Sequence, residues 1–282
     1  MIPAEFDYVA PDSLEGVLHA LADGGEDAKP LAGGHSLLPL MKLRLAVPGL
    51  LVDLRKVTGL RGVQRQDGSW RIGALTRHAD LQSQPELGIV AETAALIADQ
   101  QVRNRGTIGG SLAHGDPASD LPTVLVATEG SVHVRSNHGG IREIAAADLF
   151  QDYLTTAVGP GEVLTEVSIP ALEGWGHAYE KFTRRAEDWA MVGVCALVQK
   201  AADGTCADVR VAFTNMASTP IRATAVEQAL RGQPLTAEAI GAAAEQAGEG
   251  TDPPGDLNAT PEYKRHLARV ITRRALQRAA GT

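Results

Sequence analysis

Two short stretches carry residue types that could hold an anion. Pro30-Leu31-Ala32-Gly33-Gly34-His35-Ser36-Leu37 and Thr107-Ile108-Gly109-Gly110-Ser111 each contain two adjacent glycines followed by a polar residue, and in each the glycines come after a short apolar run suited to a buried strand. Glycine reaches backbone angles closed to other residues and has no side chain to hold a ligand away, so successive N–H groups can converge on one anion. A helix starting just beyond would add its own free N–H groups, at about 0.3–1 kcal/mol per contact. Two such bends could grip the two phosphates of a dinucleotide. A Gly-Gly pair is equally the ordinary grammar of a turn, and a chain with 30 glycines carries some pairs by chance. Neither stretch has the Gly-x-Gly-x-x-Gly of a Rossmann domain, and no Gly-x-x-x-x-Gly-Lys-Ser/Thr is present, which argues against a P-loop.

The elements that must position these bends follow from periodicity and punctuation. Residues 6–9 read as a strand, and Ser13 offers a cap to a helix with Leu14, Val17, Leu18 and Leu21 at helical spacing. Residues 37–41 read as a short helix with Pro39 in its first turn, and residues 50–53 as a strand, which completes a β-α-β lobe. Asp67-Gly68 marks a hairpin between 62–65 and 70–73, and residues 89–97 carry a helical pattern. After the second bend, residues 111–120 form a polar loop before an apolar helix at 121–127. Strands at 132–134, 142–144 and 163–169 close a second lobe, with 170–176 as linker. The remainder holds an apolar run at 190–198, a strand at 209–213, and helices at 221–230, 236–246 and 261–279.

Composition sets the limits. A length of 282 residues leaves room for two or three domains, and 44% hydrophobic with 21% charged residues matches an ordinary soluble protein. No apolar run reaches the length of a membrane span, and the start lacks the basic head and apolar stretch of a signal peptide, which points to the cytoplasm. A net charge of −8 argues against a nucleic-acid groove or an anionic membrane surface as partner. It leaves a bound pyrophosphate open, because backbone donors and local arginines act at short range. Cys195 and Cys206 are the only cysteines, so the chain cannot by itself hold a four-cysteine iron-sulfur cluster or zinc site; both read as small buried apolar residues. His35 and His114 have no second histidine at ligand spacing, so no metal site is expected. Arg184 and Arg185 read as a solvated or interface pair, and Trp189 as a core tryptophan.

Taken together, Ala32-Gly33-Gly34-His35-Ser36, Thr107-Ile108-Gly109-Gly110-Ser111, Asp116-Pro117-Ala118-Ser119-Asp120, Arg184-Arg185-x-x-Asp188-Trp189-Ala190 and the closing Glu262-Tyr263-Lys264-x-x-Leu267 to Arg274-Ala275-Leu276 resemble the FAD-binding medium subunit of molybdenum hydroxylases. That family includes aerobic carbon monoxide dehydrogenase and xanthine dehydrogenase, and the resemblance covers essentially the whole chain. It implies an α+β fold: a two-lobed FAD-binding domain of the vanillyl-alcohol-oxidase type (lobes at residues 1–56 and 57–172), then a smaller α+β C-terminal domain at 173–282. It implies that Pro30 to Leu37 and Thr107 to Ser111 embrace the FAD pyrophosphate mainly through backbone donors, with Ile97 in the same cofactor-binding set. Asp120 is expected on the adenosine side, where a carboxylate accepts hydroxyl protons, with capping of the following helix as its competing role. Leu164 and Lys181 are expected near the isoalloxazine ring, the lysine stabilising reduced flavin, and Trp189 against the ring. Lys181 and Trp189 are thus the residues expected to act in the redox step.

The resemblance further implies that the electron donor sits on another chain: a small subunit with two [2Fe-2S] clusters, beside a large subunit with the molybdenum cofactor, in a dimer of heterotrimers. The terminal acceptor would be NAD, a quinone, a cytochrome or oxygen. Two other readings stand beside this one. The chain could be a free-standing flavoenzyme acting on its own small substrate, like cell-wall reductases with the same lobes, or a non-catalytic module whose glycine bends are only turns.

Overall fold

The computed structural model describes residues 2–137 and 140–282. Its first lobe runs β1 (Asp7–Val9), α1 (Leu14–Gly24), β2 (Ala28–Leu31), α2 (Leu37–Lys42) and β3 (Leu50–Asp53). The three strands form a parallel sheet in the order β1-β3-β2, so each connection has to cross over, and α1 supplies the first crossover. Ser13 caps α1 by accepting from the Gly16 N–H, and Val17, Leu18 and Leu21 bury one face of the helix with Val52 and Leu54. Leu31, Met41 and Leu51 form a small satellite core directly beneath the first bend.

The second lobe is built on an antiparallel sheet in the order β4-β5-β10-β6-β7. Its elements are β4 (Val63–Gln66), β5 (Ser69–Gly73), α3 (His78–Gln82), α4 (Ile89–Ala95), α5 (Gln100–Arg103), α6 (Ile108–His114), α7 (Asp120–Thr128), β6 (Ser131–Ser136), β7 (Gly140–Ala145), α8 (Ala146–Leu149), a β8–β9 hairpin (Phe150–Asp152, Thr155–Thr156) and β10 (Glu162–Pro170). Asp67 (φ 52°) and Gly68 (φ 74°) both take positive φ, as a type I′ hairpin turn demands. The helices between β5 and β6 pack over the sheet around Ile72, Leu81, Val90, Leu112, Leu125, Val132 and Val167.

The last part is a sheet in the order β11-β12-β13-β14 (Trp175–Phe182, Val192–Lys200, Cys206–Thr214, Ile221–Arg222) with α9 (Thr224–Leu230), α10 (Ala237–Ala244) and α11 (Pro261–Ala280). The apolar run at 190–198 belongs to β12, which shows no polar alternation because both of its faces are covered. Cys195 and Leu197 join the core shared with the second lobe, while Val194, Ala196 and Val198 pack with Ile271, Ala275 and Leu276 of α11.

Two expectations change. The helix expected from 221 starts only at Thr224, because Ile221 and Arg222 pair with Phe213 and Ala212 as a short edge strand. The linker expected over 170–176 shrinks to 171–174, since β10 continues to Pro170 and β11 begins at Trp175. Among the described residues no helix is long and apolar enough to cross a membrane.

Candidate functional site

The two glycine bends meet. A backbone-to-backbone contact joins them: a Cβ on Gly33 would lie 2.3 Å from the Arg105 carbonyl oxygen and 2.9 Å from Gly106 Cα, so only glycine allows the first bend to rest on the approach to the second. Gly110 faces back toward it, with Ala32 Cβ at 3.7 Å from where its own Cβ would be. Gly34 holds φ 78°, the left-handed turn that swings the chain into α2. Around this junction opens a cleft of about 780 Å³, lined by both bends and by Lys181 and Trp189 from the last part of the chain. That volume lies within the roughly 300–1,000 Å³ of cofactor sites.

The two bends offer different chemistry. In the first, the N–H groups of Gly33, Gly34, His35 and Ser36 donate to no protein acceptor among the described residues, and the Ser36 hydroxyl caps no helix N–H. In the second, Gly109 and Gly110 do not follow a strand; they lie in the first turn of α6, whose cap is Thr107. The Ile108 N–H donates to Thr76 O (3.0 Å), Gly109 N–H to Ala74 O (2.9 Å), Gly110 N–H to Thr107 Oγ1 (3.2 Å) and Ser111 N–H to Thr107 O (3.0 Å). The expectation of backbone donors therefore fits the geometry of the first bend and not of the second. There Thr107 N–H and the Ser111 hydroxyl are what remains for a ligand.

Of the residues expected to bind the cofactor, all but Ile108 line this one cleft. Ile108 is 1% exposed and belongs to the core of the second lobe, because it sits on the inner side of α6. Asp120, 4% exposed, is the first residue of α7; the cap position falls to Ser119. Its carboxylate accepts from Lys181 Nζ (2.9 Å) and from the Tyr179 hydroxyl (2.8 Å). Burial pushes the Asp120 carboxyl above its usual range, against the pull of these two donors. Lys181 also donates to Leu96 O (3.1 Å), which leaves its third N–H for the cleft. Trp189 stands at the rim with 58% of its surface open, so it is not a core tryptophan. His35 is held below its ordinary value by burial and by Arg105. Arg184 and Arg185 are exposed.

Several lining residues escaped the sequence reading. Val158 to Val163 form a wall in which Glu162 accepts from the Gly159 N–H (2.7 Å) and Arg142 (2.6 Å); the Gly159-Pro160-Gly161 punctuation was the available signal. His78 had none. It is buried against Gly106, where a Cβ would come 2.7 Å from its ring, and its Nδ1 has no partner among the described residues. Burial, with His35 and Arg103 adding to it, lowers its pKa to about 4. Because the folded value lies below the unfolded value of about 6.5, neutral His78 contributes stability that is complete above pH 6.5 and lost as the pH falls toward 4, on the order of 3 kcal/mol. Thermal melts from neutral to acid pH are expected to show this slope, and His78→Gln to flatten it; an unchanged slope would place the acid sensitivity elsewhere.

Among the described residues no group of three or more His, Cys, Asp or Glu is placed to hold a metal. What the cleft does fit is FAD: unengaged donors at a bare bend for a diphosphate, apolar walls for the rings, and one lysine N–H at its floor. The comparisons with known proteins agree. Residues 4–172 match the family described as FAD binding domain in molybdopterin dehydrogenase, and residues 177–279 match the CO dehydrogenase flavoprotein C-terminal domain. The chain is 42% identical to the carbon monoxide dehydrogenase medium chain of Hydrogenophaga pseudoflava, covering 99% of this chain and 98% of that one. It is 41% identical to the 6-hydroxypseudooxynicotine dehydrogenase complex subunit alpha of Paenarthrobacter nicotinovorans, covering 99% and 96%. A solved carbon monoxide dehydrogenase from Hydrogenophaga pseudoflava superposes with a TM-score of 0.96 at 43% identity, over 100% of this chain and 99% of that one. Quinoline 2-oxidoreductase from Pseudomonas putida 86 superposes with a TM-score of 0.94 at 33% identity, over 100% and 99%. With both of its domains matched in order, the chain belongs to the FAD-binding flavoproteins of the molybdopterin dehydrogenase family.

Proposed function

We propose that this chain is the FAD-binding subunit of a molybdenum hydroxylase complex, in which electrons from the [2Fe-2S] clusters of a small partner subunit pass through FAD to a terminal acceptor. A large partner subunit carries the molybdenum cofactor and selects the substrate, and the complex is a cytoplasmic dimer of heterotrimers. The observation that carries the reading is the junction of Gly33 with Arg105 and Gly106, which sets an open row of N–H groups at the centre of a cofactor-sized cleft. Two cysteines, both buried, leave the chain without clusters of its own, so the donor has to come from outside.

FAD, when bound, supplies one- and two-electron transfer. The residues of this chain bind and tune it. Gly33 to Ser36 donate to the diphosphate from the backbone, with Thr107 and Ser111 completing the grip from the facing bend. Leu164 and Ile97 supply apolar contact for the ring, and Lys181 presents a proton-bearing cation beside it. Trp189, at the rim of the cleft, would supply an aromatic face to the ring. Asp120, bound to Lys181 and Tyr179, serves the ring-side lysine rather than the adenosine.

Anaerobic addition of substrate to the purified complex tests this. The flavin absorbance is expected to bleach after the clusters are reduced. A complex without flavin, or one whose flavin stays oxidised while substrate is consumed, would overturn the reading, and turnover by the isolated chain would favour a free-standing flavoenzyme.

A further inference from the structure

Behind the cleft floor, beneath Asp120, lies a buried chain of hydroxyl groups that cofactor contact alone does not require. Tyr179 on β11 is 1% exposed; its hydroxyl donates to Asp120 Oδ1 (2.8 Å) and lies 2.8 Å from the Thr214 hydroxyl on β13. The Thr214 hydroxyl in turn lies 2.7 Å from that of Thr123 on α7. Each hydroxyl has one proton to give. With the Tyr179 proton on the carboxylate, Thr214 donates to Tyr179 and Thr123 to Thr214, so the protons all point one way and end at Asp120. From the opposite side Lys181 donates to Asp120 Oδ2 (2.9 Å). Room for this chain is kept by Gly193 on β12, where a Cβ would lie 2.6 Å from the Tyr179 hydroxyl and 2.8 Å from that of Thr214. Aligned donors reinforce one another in a dry site.

We infer that Tyr179 is a positioning residue for flavin redox chemistry: its hydroxyl keeps Asp120 ionised, and ionised Asp120 both anchors Lys181 at the cleft floor and cancels its charge. The inference rests on the FAD-subunit reading above. Burial alone drives the Asp120 carboxyl toward its protonated form, and only Lys181 and Tyr179 oppose it. Titratable groups on the elements packed around α7 are engaged elsewhere or lie outside Asp120's reach: Arg210 of β13 with Glu129 and the Thr128 carbonyl, Asp208 of β13 with Arg231, the Cys206 thiol of β13 and the Cys195 thiol of β12 both pushed up by burial, Lys200 of β12 at the surface, Glu92 of α4 with Arg278 and the Tyr179 N–H, His114 of α6 kept neutral by burial, Glu162 and Glu166 of β10 with Arg142 and Arg71, Arg222 of β14 with Glu129 and Glu227, and Asp148 of α8 at the surface.

Without the Tyr179 hydroxyl, Asp120 Oδ1 loses its donor in a water-poor site, and the carboxyl takes a proton as the pH falls. Lys181 then stands unopposed beside the flavin. Reduction of the flavin takes up two electrons and one proton and leaves it one unit more negative, so an unopposed cation favours the reduced form. The test is a redox titration of the flavin in the whole complex, with dithionite as reductant and mediators, from mildly acidic to mildly alkaline pH. Tyr179→Phe is expected to shift the midpoint potential positive on the acid side, by at least the ~30 mV that corresponds to a tenfold bias in a two-electron couple, and to converge on wild type at alkaline pH. Asp120→Asn is expected to hold the shifted value at every pH, and Thr214→Val to give a smaller shift of the same sign.

A Tyr179→Phe complex that melts earlier yet keeps the wild-type potential and pH slope would show a merely structural role and overturn the inference. Should that variant fail to assemble, an unshifted potential in Asp120→Asn or in Thr214→Val overturns it equally. Because the reductant is chemical, the titration reads this chain of groups whether or not clusters deliver electrons. A flavin that titrates as expected but is not reduced by substrate sinks the proposed function alone; a complex without flavin sinks both.

Discussion

A complex carrying Gly33→Val is expected to lose its flavin. The valine Cβ would fall 2.3 Å from a backbone carbonyl oxygen and 2.9 Å from Arg105 C and Gly106 Cα, and backbone cannot rotate away as a side chain tip can. Relief therefore requires the two bends to separate, at a cost of about 1–3 kcal/mol for overpacking before any cofactor contact is lost. Since the open N–H groups of Gly33 to Ser36 move with the bend, cofactor affinity should fall by about 10- to 100-fold or more. Gly109→Val acts on the other side. Its Cβ would come 2.5 Å from Ala74 Cβ and 2.8 Å from Ala74 O, the acceptor that anchors the first turn of α6. The double variant should purify without flavin while the sheet from β11 to β14, whose core with α11 lies apart from both bends, keeps its fold. Flavin released on heating, counted against protein, reads the result; retention at one per chain would mean that the bends do not clasp the diphosphate.

The second large effect is expected from Lys181→Met. The side chains of Lys181 and Asp120 are 7% and 4% exposed, so their pairing is not a surface ion pair. Removing the cation leaves the Asp120 carboxyl buried with the Tyr179 hydroxyl as its one side-chain donor, and breaking a buried pair in this way costs about 3–5 kcal/mol. The sign with pH follows. With Lys181 gone, the folded-state pKa of Asp120 rises further above its unfolded value of about 3.9, so the variant is penalised least below that value and loses stability as the pH rises through the new folded pKa. Denaturation of wild type and variant across pH would show the gap widening toward alkaline pH. Adding Asp120→Asn removes the orphaned charge, and the double variant should be less destabilised than Lys181→Met alone. A gap that stays constant with pH would mean that the carboxyl is solvated.

Much of the scaffold was legible because local and global preferences coincide. Leu14, Val17, Leu18 and Leu21 make one face of α1 and the structure buries that face; Asp67-Gly68 turns where its residue types allow positive φ. Pro39 sits inside the first turn of α2, where its missing N–H costs nothing. Failures fall where a distant contact decides. Ile221 and Arg222 leave their helix because β13 offers a ladder and Glu129 and Glu227 draw in the Arg222 guanidinium. Thr107 to Ser111 resembles the first bend in letters, yet hydrogen bonds to Ala74 and Thr76 turn it into a capped helix, which no local pattern announces.

The site was read in the same uneven way. Spacing and residue type brought out the two bends, whereas Asp120, Lys181 and Trp189 were marked only by the family resemblance. Tyr179 carries no signal of its own in the sequence, since its importance comes from Thr214 and Asp120, which are 35 and 59 residues away. His78 was invisible for a like reason: it becomes part of the site only when Gly106 closes over it.

The measurement that bears most directly on all of this is an experimental density map of the purified complex with its cofactor. FAD should lie in the cleft with its diphosphate between Gly33 to Ser36 and Thr107 to Ser111, accepting from the backbone N–H groups of the first bend, and with its ring beside Lys181. A diphosphate bound elsewhere, or a cleft filled by solvent in a complex that carries flavin, would contradict the account.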